Sequence, residues 1–446
     1  MLPRSFLAPA SLLLAACGGP SGPNLIVISI DTLRRDALAA YAPEAGALPA
    51  FDRLAAESVR FENALSSASW TLPAHASLLT GLYPDRHGAT DRRVTLAQDA
   101  ETLAGPLARR GYQTAAFTGG GFLDAKYGLG RGFEVYEAKT HGKQEPAENA
   151  EGLLARVRQF LSARHDSRPL FLFLHTYAVH NYYDARAEAV AASGHAGLAG
   201  RKVYVDCVLG RTRCPEDAWE ELRALYRAEL ELCDRALGKL REELERAALW
   251  QDAVVVLLSD HGEGFEPARA RIHHGGRLHA DQLRIPLFVR LPGGSARSEA
   301  APVSLIDVMP TLLDLTEAPH SADLDGRSFA ANLRSRAPIA ARPLFAMEHY
   351  FGWKDGKRDT SAEVLALPRE LAVIDAQGWY ITGEGADELY ELGDTAQGRS
   401  LWTDASQSTE HRALLGERPF VRANSAGLEA SEAVDNALNN LGYGGE

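Results

Sequence analysis

The chain has 446 residues, 46% hydrophobic and 24% charged, ordinary values for a globular protein that buries one large core beside an appended subdomain. The formal net charge is -12 and there is no long basic run, which argues against a nucleic-acid surface. An anionic ligand would need a local cationic site.

The first element reads as an export signal. Arg4 precedes an apolar stretch from Phe6 to Leu14, and Leu14-Ala15-Ala16-Cys17 follows. A charged start, a short apolar segment and small residues at a cleavage point describe a secretory signal and not a membrane span. Leu-Ala-Ala-Cys resembles a bacterial lipobox in which Cys17 would carry lipid, and the following Gly18 resembles outer-membrane sorting. Residues 1–23 are thus expected to be signal peptide and tether. That would make the protein an exported lipoprotein of the cell envelope, anchored at the outer membrane through Cys17 and facing periplasm or surface. In that oxidising compartment, a local disulfide between Cys207 and Cys214 is favoured over two thiols or a metal clip. Cys233 reads as a small buried side chain in a helix.

Next come apolar runs that end in polar residues with chemical potential. Leu25 to Ile30 ends at Asp31, Leu170 to Leu174 ends at His175, and Ala253 to Leu258 leads through Ser259 to Asp260. Such β-branched and aliphatic runs predict parallel strands buried on both faces. Helical patterns over Phe51 to Val59, Leu153 to Leu161 and Trp219 to Arg246 alternate with them, so an α/β sandwich is expected. Ligands of such sheets gather beyond the carboxyl ends of the strands, where these polar residues fall. From about Leu324 the pattern changes to short mixed segments. Leu371 to Ile381 with Glu388 to Tyr390 predicts a small antiparallel sheet, and a surface helix is expected from Ala426 onward. The expected units are residues 24–323 for the catalytic domain and 324–446 for a small C-terminal α+β subdomain.

The densest chemical pattern is Ser69-Trp70-Thr71-Leu72-Pro73-Ala74-His75-Ala76-Ser77-Leu78-Leu79-Thr80-Gly81. Pro73 suits the first turn of a helix, because its missing N–H would be unpaired there anyway. Thr71 would then sit just before a helix N-terminus, where backbone N–H groups and the dipole favour an anion. A hydroxyl there could attack a sulfuryl or phosphoryl group, or could serve only as an N-cap.

The order of these segments resembles the sulfatase family of the alkaline-phosphatase-like hydrolases. The family signature Cys/Ser-x-Pro-x-Arg followed by Ala-Ser-Leu-Leu-Thr-Gly is matched by Thr71-Leu72-Pro73-Ala74-His75 and Ala76 to Gly81. Asn24 to Asp31, Tyr83 to Gly88, Ser259-Asp260-His261-Gly262-Glu263, His274-Gly275, Asp307 to Leu312 and Glu388 to Leu392 continue the likeness in order. The resemblance implies an alkaline-phosphatase-like α/β/α sandwich with a mostly parallel central sheet. It also implies one divalent metal ion held by Asp31, Thr71, Asp260 and His261, with Thr71 as the nucleophile. The imidazole tilts the metal toward zinc or manganese, with calcium still admissible. His75 takes the place of the motif Arg and could orient Thr71 or its neighbours. His180 would contact the substrate or protonate the leaving group, and His274 would contact the anion's oxygens. Each of the three reads alternatively as a buried, hydrogen-bonded histidine, and His87 reads as a surface or structural residue.

Two departures bear on the reaction. Active sulfatases oxidise the motif Cys or Ser to formylglycine. Thr71 would give a ketone, so no formylglycine is expected, and the position resembles the phosphodiesterase and phosphoethanolamine-transferase relatives that use Thr. Ala115 to Phe122 lacks the Lys and His that sulfatases carry after this strand, and Thr32 replaces the second Asp of an Asp-Asp pair. The expected activity is metal-dependent hydrolysis of a sulfate or phosphate ester. Alternatives are phosphoryl or phosphoethanolamine transfer to envelope glycans or lipids, and a non-catalytic surface-binding lipoprotein. The expected partner is an anionic ester, a glycan or lipid head group among the candidates.

Overall fold

The computed structural model describes residues 22–139, 150–184, 187–193, 218–266, 271–349, 353–354, 357–358, 368–376, 378–383, 387–392 and 413–415. Cys17, the Cys207–Cys214 pair and the expected helix from Ala426 lie outside them. Among the described residues, no helix is long and apolar enough to cross a membrane.

The apolar runs form one eight-stranded sheet. Its strands are β1 (Asn24–Ile30), β2 (Val59–Phe61), β3 (Gln113–Thr118), β4 (Val135–Ala138), β5 (Leu170–Thr176), β6 (Ala253–Leu258), β7 (Leu287–Arg290) and β8 (Arg297–Glu299). Their order across the sheet is β8-β2-β7-β6-β1-β5-β3-β4. The middle of the sheet is parallel, with β1 between β5 and β6, while β7 runs antiparallel to β6 and β2. Side chains alternate between faces along a strand, so one run serves two cores. Leu25 and Val27 enter one core with Leu72, Leu79, Met309 and Leu312, and Ile26, Ile28 and Ile30 enter the other with Leu153, Leu222 and Leu225. Helices α1 (Pro49–Ala55), α3 (Ala150–Ala163) and α4 (Ala218–Arg246) cover the second face, and α2 (Thr71–Thr80) and α5 (Val308–Leu315) cover the first. This is the expected α/β/α sandwich.

Register decides where the chemistry collects. Ser29 lies opposite His175 on β5 and opposite Leu258 on β6. The carboxyl ends of these three strands are therefore level, and Asp31, His175 and Asp260 emerge at one edge.

The chain from 324 onward begins on the main core, where Phe329, Ala330 and Leu333 of helix α6 (Ala330–Ser335) and its approach pack. An antiparallel sheet follows, of β9 (Leu344–His349), β10 (Pro368–Ile374), β11 (Trp379–Gly383) and β12 (Glu388–Tyr390), adjacent in that order. It docks through main-chain and buried side-chain bonds. Met347 N donates to Ser67 O (2.9 Å), Trp379 Nε1 donates to Leu278 O (3.0 Å), and Ser69 Oγ donates to the Glu348 carboxylate.

Candidate active site

Thr71 opens helix α2. Trp70 ahead of it is extended (φ -153°, ψ 164°), so Thr71 is the first helical residue and Pro73 the third. The sequence reading had Thr71 just before the helix with Pro73 near its start. The difference is physical: the first positions of a helix all lack an intrahelical N–H partner, so Pro fits at the third as well as at the first. The helix ends at Gly81, whose φ of 67° lets its N–H close on Ser77 O (2.9 Å).

Asp31, Asp260 and His261 are fully buried, and each offers one ligand atom within 4.8 Å of the others. Their hydrogen bonds divide each group into an occupied and an unoccupied side. Asp31 Oδ2 accepts from Thr71 Oγ1 (3.1 Å) and faces His175 Nε2 (3.3 Å), while Asp31 Oδ1 makes no hydrogen bond among the described residues. Asp260 Oδ1 accepts the His261 main-chain N–H (2.9 Å), and Oδ2 makes no well-formed bond among the described residues. His261 Nδ1 donates to Gly262 O (2.9 Å), which leaves the Nε2 lone pair 3.2 Å from Asp260 Oδ2 and 3.8 Å from Asp31 Oδ1. A nitrogen lone pair facing two buried carboxylate oxygens is repulsive unless a cation or a proton lies between them. The donor set of two carboxylates, one imidazole and the Thr71 oxygen fits a divalent transition metal. Metal-free electrostatics carry the same imprint. Burial, then the charge of Asp260, raises the Asp31 carboxyl well above its usual range. Burial would depress the His261 ring, but the two carboxylates lift it to about 9.

The surrounding chain holds these groups in place. Ser259 Oγ accepts from Leu33 N (2.9 Å) and donates to Ile30 O or His261 O (2.8 and 2.6 Å), tying the end of β6 to the end of β1. Thr32 sits at φ 58°, a strained conformation for a β-branched residue, and its carbonyl accepts from Tyr226 Oη on α4 (2.9 Å). Gly262 is required by close approach, because a Cβ there would lie 2.0 Å from Asp281 O.

His75 is fully buried, with Nδ1 2.9 Å from Thr71 O and 3.3 Å from Asp260 Oδ2, and Nε2 2.9 Å from Ser29 Oγ. The Thr71 carbonyl at Nδ1 puts the proton there, so the ring braces the first turn of α2 beside Asp260. Burial lowers its pKa and keeps it neutral. His175, which the sequence reading noted only as a strand end, is one residue missed. Its Nδ1 accepts from Gly119 N (3.4 Å), so Nε2 carries the proton that faces Asp31 Oδ2. A histidine that orients a ligating carboxylate in this way is part of a metal site's outer support.

His180 and His274 are both brought to the centre. Their ring centroids are 4.9 Å apart, and His274 lies 4.5 Å from His261. His180 Nδ1 donates to Asn181 Oδ1 (2.8 Å), and burial lowers its pKa to about 4. His274 Nδ1 lies 3.2 Å from Glu263 Oε2. Glu263, fully buried, and His273 join His274 in a second group whose ligand atoms lie within 4.8 Å of one another. The sequence did not single out Glu263 or His273, although Glu263 lies only three residues after Asp260. His87 is not at the centre. It is buried behind α2, accepts from Ala89 N at Nδ1 (3.1 Å), and points Nε2 at Pro73 O (3.1 Å).

Comparison with known proteins bears on the family and the fold. The family model described as Sulfatase matches residues 23–318. An ulvan-active sulfatase of Formosa agariphila is 25% identical over 74% of this chain and 68% of its own length. A multifunctional alkaline phosphatase superfamily protein of Trinickia caryophylli is 25% identical over 80% of this chain and 86% of its own. The crystal structure of a phosphonate monoester hydrolase of Agrobacterium radiobacter superposes with a TM-score of 0.69 at 18% identity, covering 89% of this chain and 94% of that one.

Proposed function

The chain belongs to the sulfatase family and is a hydrolase of that family, and on this premise we propose that it cleaves phosphate esters, and sulfate esters only weakly, with Thr71 as nucleophile beside one divalent metal ion. The observation that carries the reading is the convergence of Asp31 Oδ1, Asp260 Oδ2 and His261 Nε2, all buried and without well-formed hydrogen bonds among the described residues, next to a hydroxyl at a helix N-terminus. A divalent cation held by Asp31, Asp260, His261 and the Thr71 oxygen would polarise the ester and lower the hydroxyl's pKa.

The chain's own groups account for the rest. Asp31 Oδ2 receives the Thr71 O–H and fixes Oγ1 at the start of α2, where the N-terminus of the helix favours the ester's oxygens. Attack by Oγ1 forms a Thr71 O–P bond and breaks the bond to the alcohol oxygen, which takes up a proton. Water then attacks phosphorus, Oγ1 leaves and regains its proton, and phosphate departs. His180 directs its Nδ1–H to Asn181, so in its neutral form the other ring nitrogen suits accepting a proton from that water. Its depressed pKa makes the protonated ring scarce at neutral pH, which favours substrates with good leaving groups such as aryl esters. A sulfated Thr71 would lack the elimination route that formylglycine gives, whereas a phosphorylated Thr71 can be hydrolysed.

A substrate panel tests the reading. Aryl phosphate, aryl phosphodiester and aryl sulfate are compared on protein loaded with zinc or manganese. Turnover of a phosphate ester is expected, lost by roughly 10³-fold or more in Thr71→Ala. Turnover of the sulfate alone, or full activity in Thr71→Ala, would overturn it.

A further inference from the structure

We infer that Glu263, His273 and His274 form a second cation site, suited to zinc, beside the one made by Asp31, Asp260 and His261. The two sets share no residue, and they meet where the His261 and His274 rings lie 4.5 Å apart.

The site is assembled by a short antiparallel pairing. Phe265–Glu266 pairs with Arg271–Ile272, and His273 N continues the ladder to Gly264 O (3.2 Å). That register brings Glu263 across from His273 and His274. Consecutive side chains of an extended chain point to opposite sides, so His273 and His274 would ordinarily face apart. His273 has a φ of 101°, which breaks the alternation and brings the two rings to 4.0 Å between centroids. A non-glycine residue takes such a conformation only where its surroundings demand it, and such residues gather at functional sites.

The chemistry of the group points to the ligand. Two imidazoles and one carboxylate, each with one ligand atom within 4.8 Å of the others, make the donor set of zinc sites that keep open coordination positions. Charge balance points the same way. Glu263 is fully buried, its Oε1 accepts from Gly264 N (2.9 Å), and its Oε2 faces His274 Nδ1 (3.2 Å). The nearby Arg34 guanidinium is committed elsewhere, donating to the Glu263 main-chain carbonyl and to Asp36. A buried carboxylate is costly, and a cation held between Glu263 and the two imidazoles would offset that cost. The added charge falls on the side where His180 and His274 lie. It would favour a dianionic phosphate monoester over a monoanionic sulfate ester as the substrate class. That last step rests on the ester chemistry proposed for Thr71; the binding of the ion does not.

Metal counting tests the site. The full chain is stripped with a chelator, reloaded with zinc and desalted, and the bound metal is measured by mass spectrometry. The same is done for Asp31→Asn and for the double variant Glu263→Gln/His273→Ala. Two equivalents are expected in the unaltered chain, with one lost in each variant. One equivalent that Asp31→Asn abolishes would overturn the second site and leave the first, with Glu263 serving only to orient His274. One equivalent that survives Asp31→Asn and disappears in the double variant would overturn the metal placement at Thr71 and keep this one. Cobalt(II) titration of the unaltered chain avoids dependence on variant folding. Absorption developing in two steps to two equivalents is expected, and saturation at one equivalent would overturn the second site.

Discussion

At the scale of single residues, the proposed ligand groups depend on neighbours outside the ligand set. His175 shows this most clearly. With Nδ1 accepting from Gly119, its Nε2–H is the donor that faces the same Asp31 oxygen as Thr71. Phe in its place would preserve ring packing against Tyr177 and remove that donor. His175→Phe is therefore expected to fold normally but to bind the catalytic metal about 10- to 100-fold more weakly. Competition with a chromophoric chelator measures this directly, and unchanged affinity would remove His175 from the site. His175 was hard to read from sequence because a polar residue after an apolar run is as often a turn or cap as a functional group. Asp31, Asp260 and His261 were legible because motif and strand-end position agreed. The left-handed backbone at Thr32 and at His273 leaves no such mark.

At the scale of elements, helix α2 is clamped from behind as well as from the site. His87 carries its proton on Nε2, facing Pro73 O, because Nδ1 accepts from Ala89 N. His349 on β9 is 2% exposed. Burial, with the charge of His349 as a further cause at His87, lowers both rings from 6.5 to about 3. A histidine whose folded pKa is depressed takes up a proton more readily when unfolded. Stability is therefore full above pH 6.5 and falls as the pH drops from there toward 3, by up to about 1.4 kcal/mol per pH unit for each ring. Denaturant unfolding between pH 7.5 and 5 should show this slope, and His349→Phe should remove one proton's share of it. An identical slope in the variant would contradict the assignment. The position of α2 was legible to within two residues. Its first turn was misplaced because Pro tolerates several positions there, and the chain carries no side-chain N-cap signal at Trp70.

At the scale of the whole molecule, the site is built by three level strand ends, one helix start and a docked second sheet. The sandwich was legible because uninterrupted apolar runs alternate with helical patterns. The small antiparallel sheet was legible in outline from Leu371 to Tyr390. Its contacts were not, since pairings such as Ser69 with Glu348 or His279 with Glu388 (2.7 Å) join residues over a hundred positions apart. The group of Glu263 with His273 is close in sequence, but only the hairpin register shows that the two side chains meet. All of this architecture converges on one claim, that Thr71 carries the group removed from the ester. The most direct measurement is rapid acid quench of the metal-loaded protein during turnover of an aryl phosphate, followed by mass spectrometry of the peptide containing residue 71. A phosphoryl group on Thr71, absent without substrate and absent in Asp31→Asn, is the predicted result. Turnover that proceeds with Thr71 unmodified, and that survives Thr71→Ala, would contradict the account.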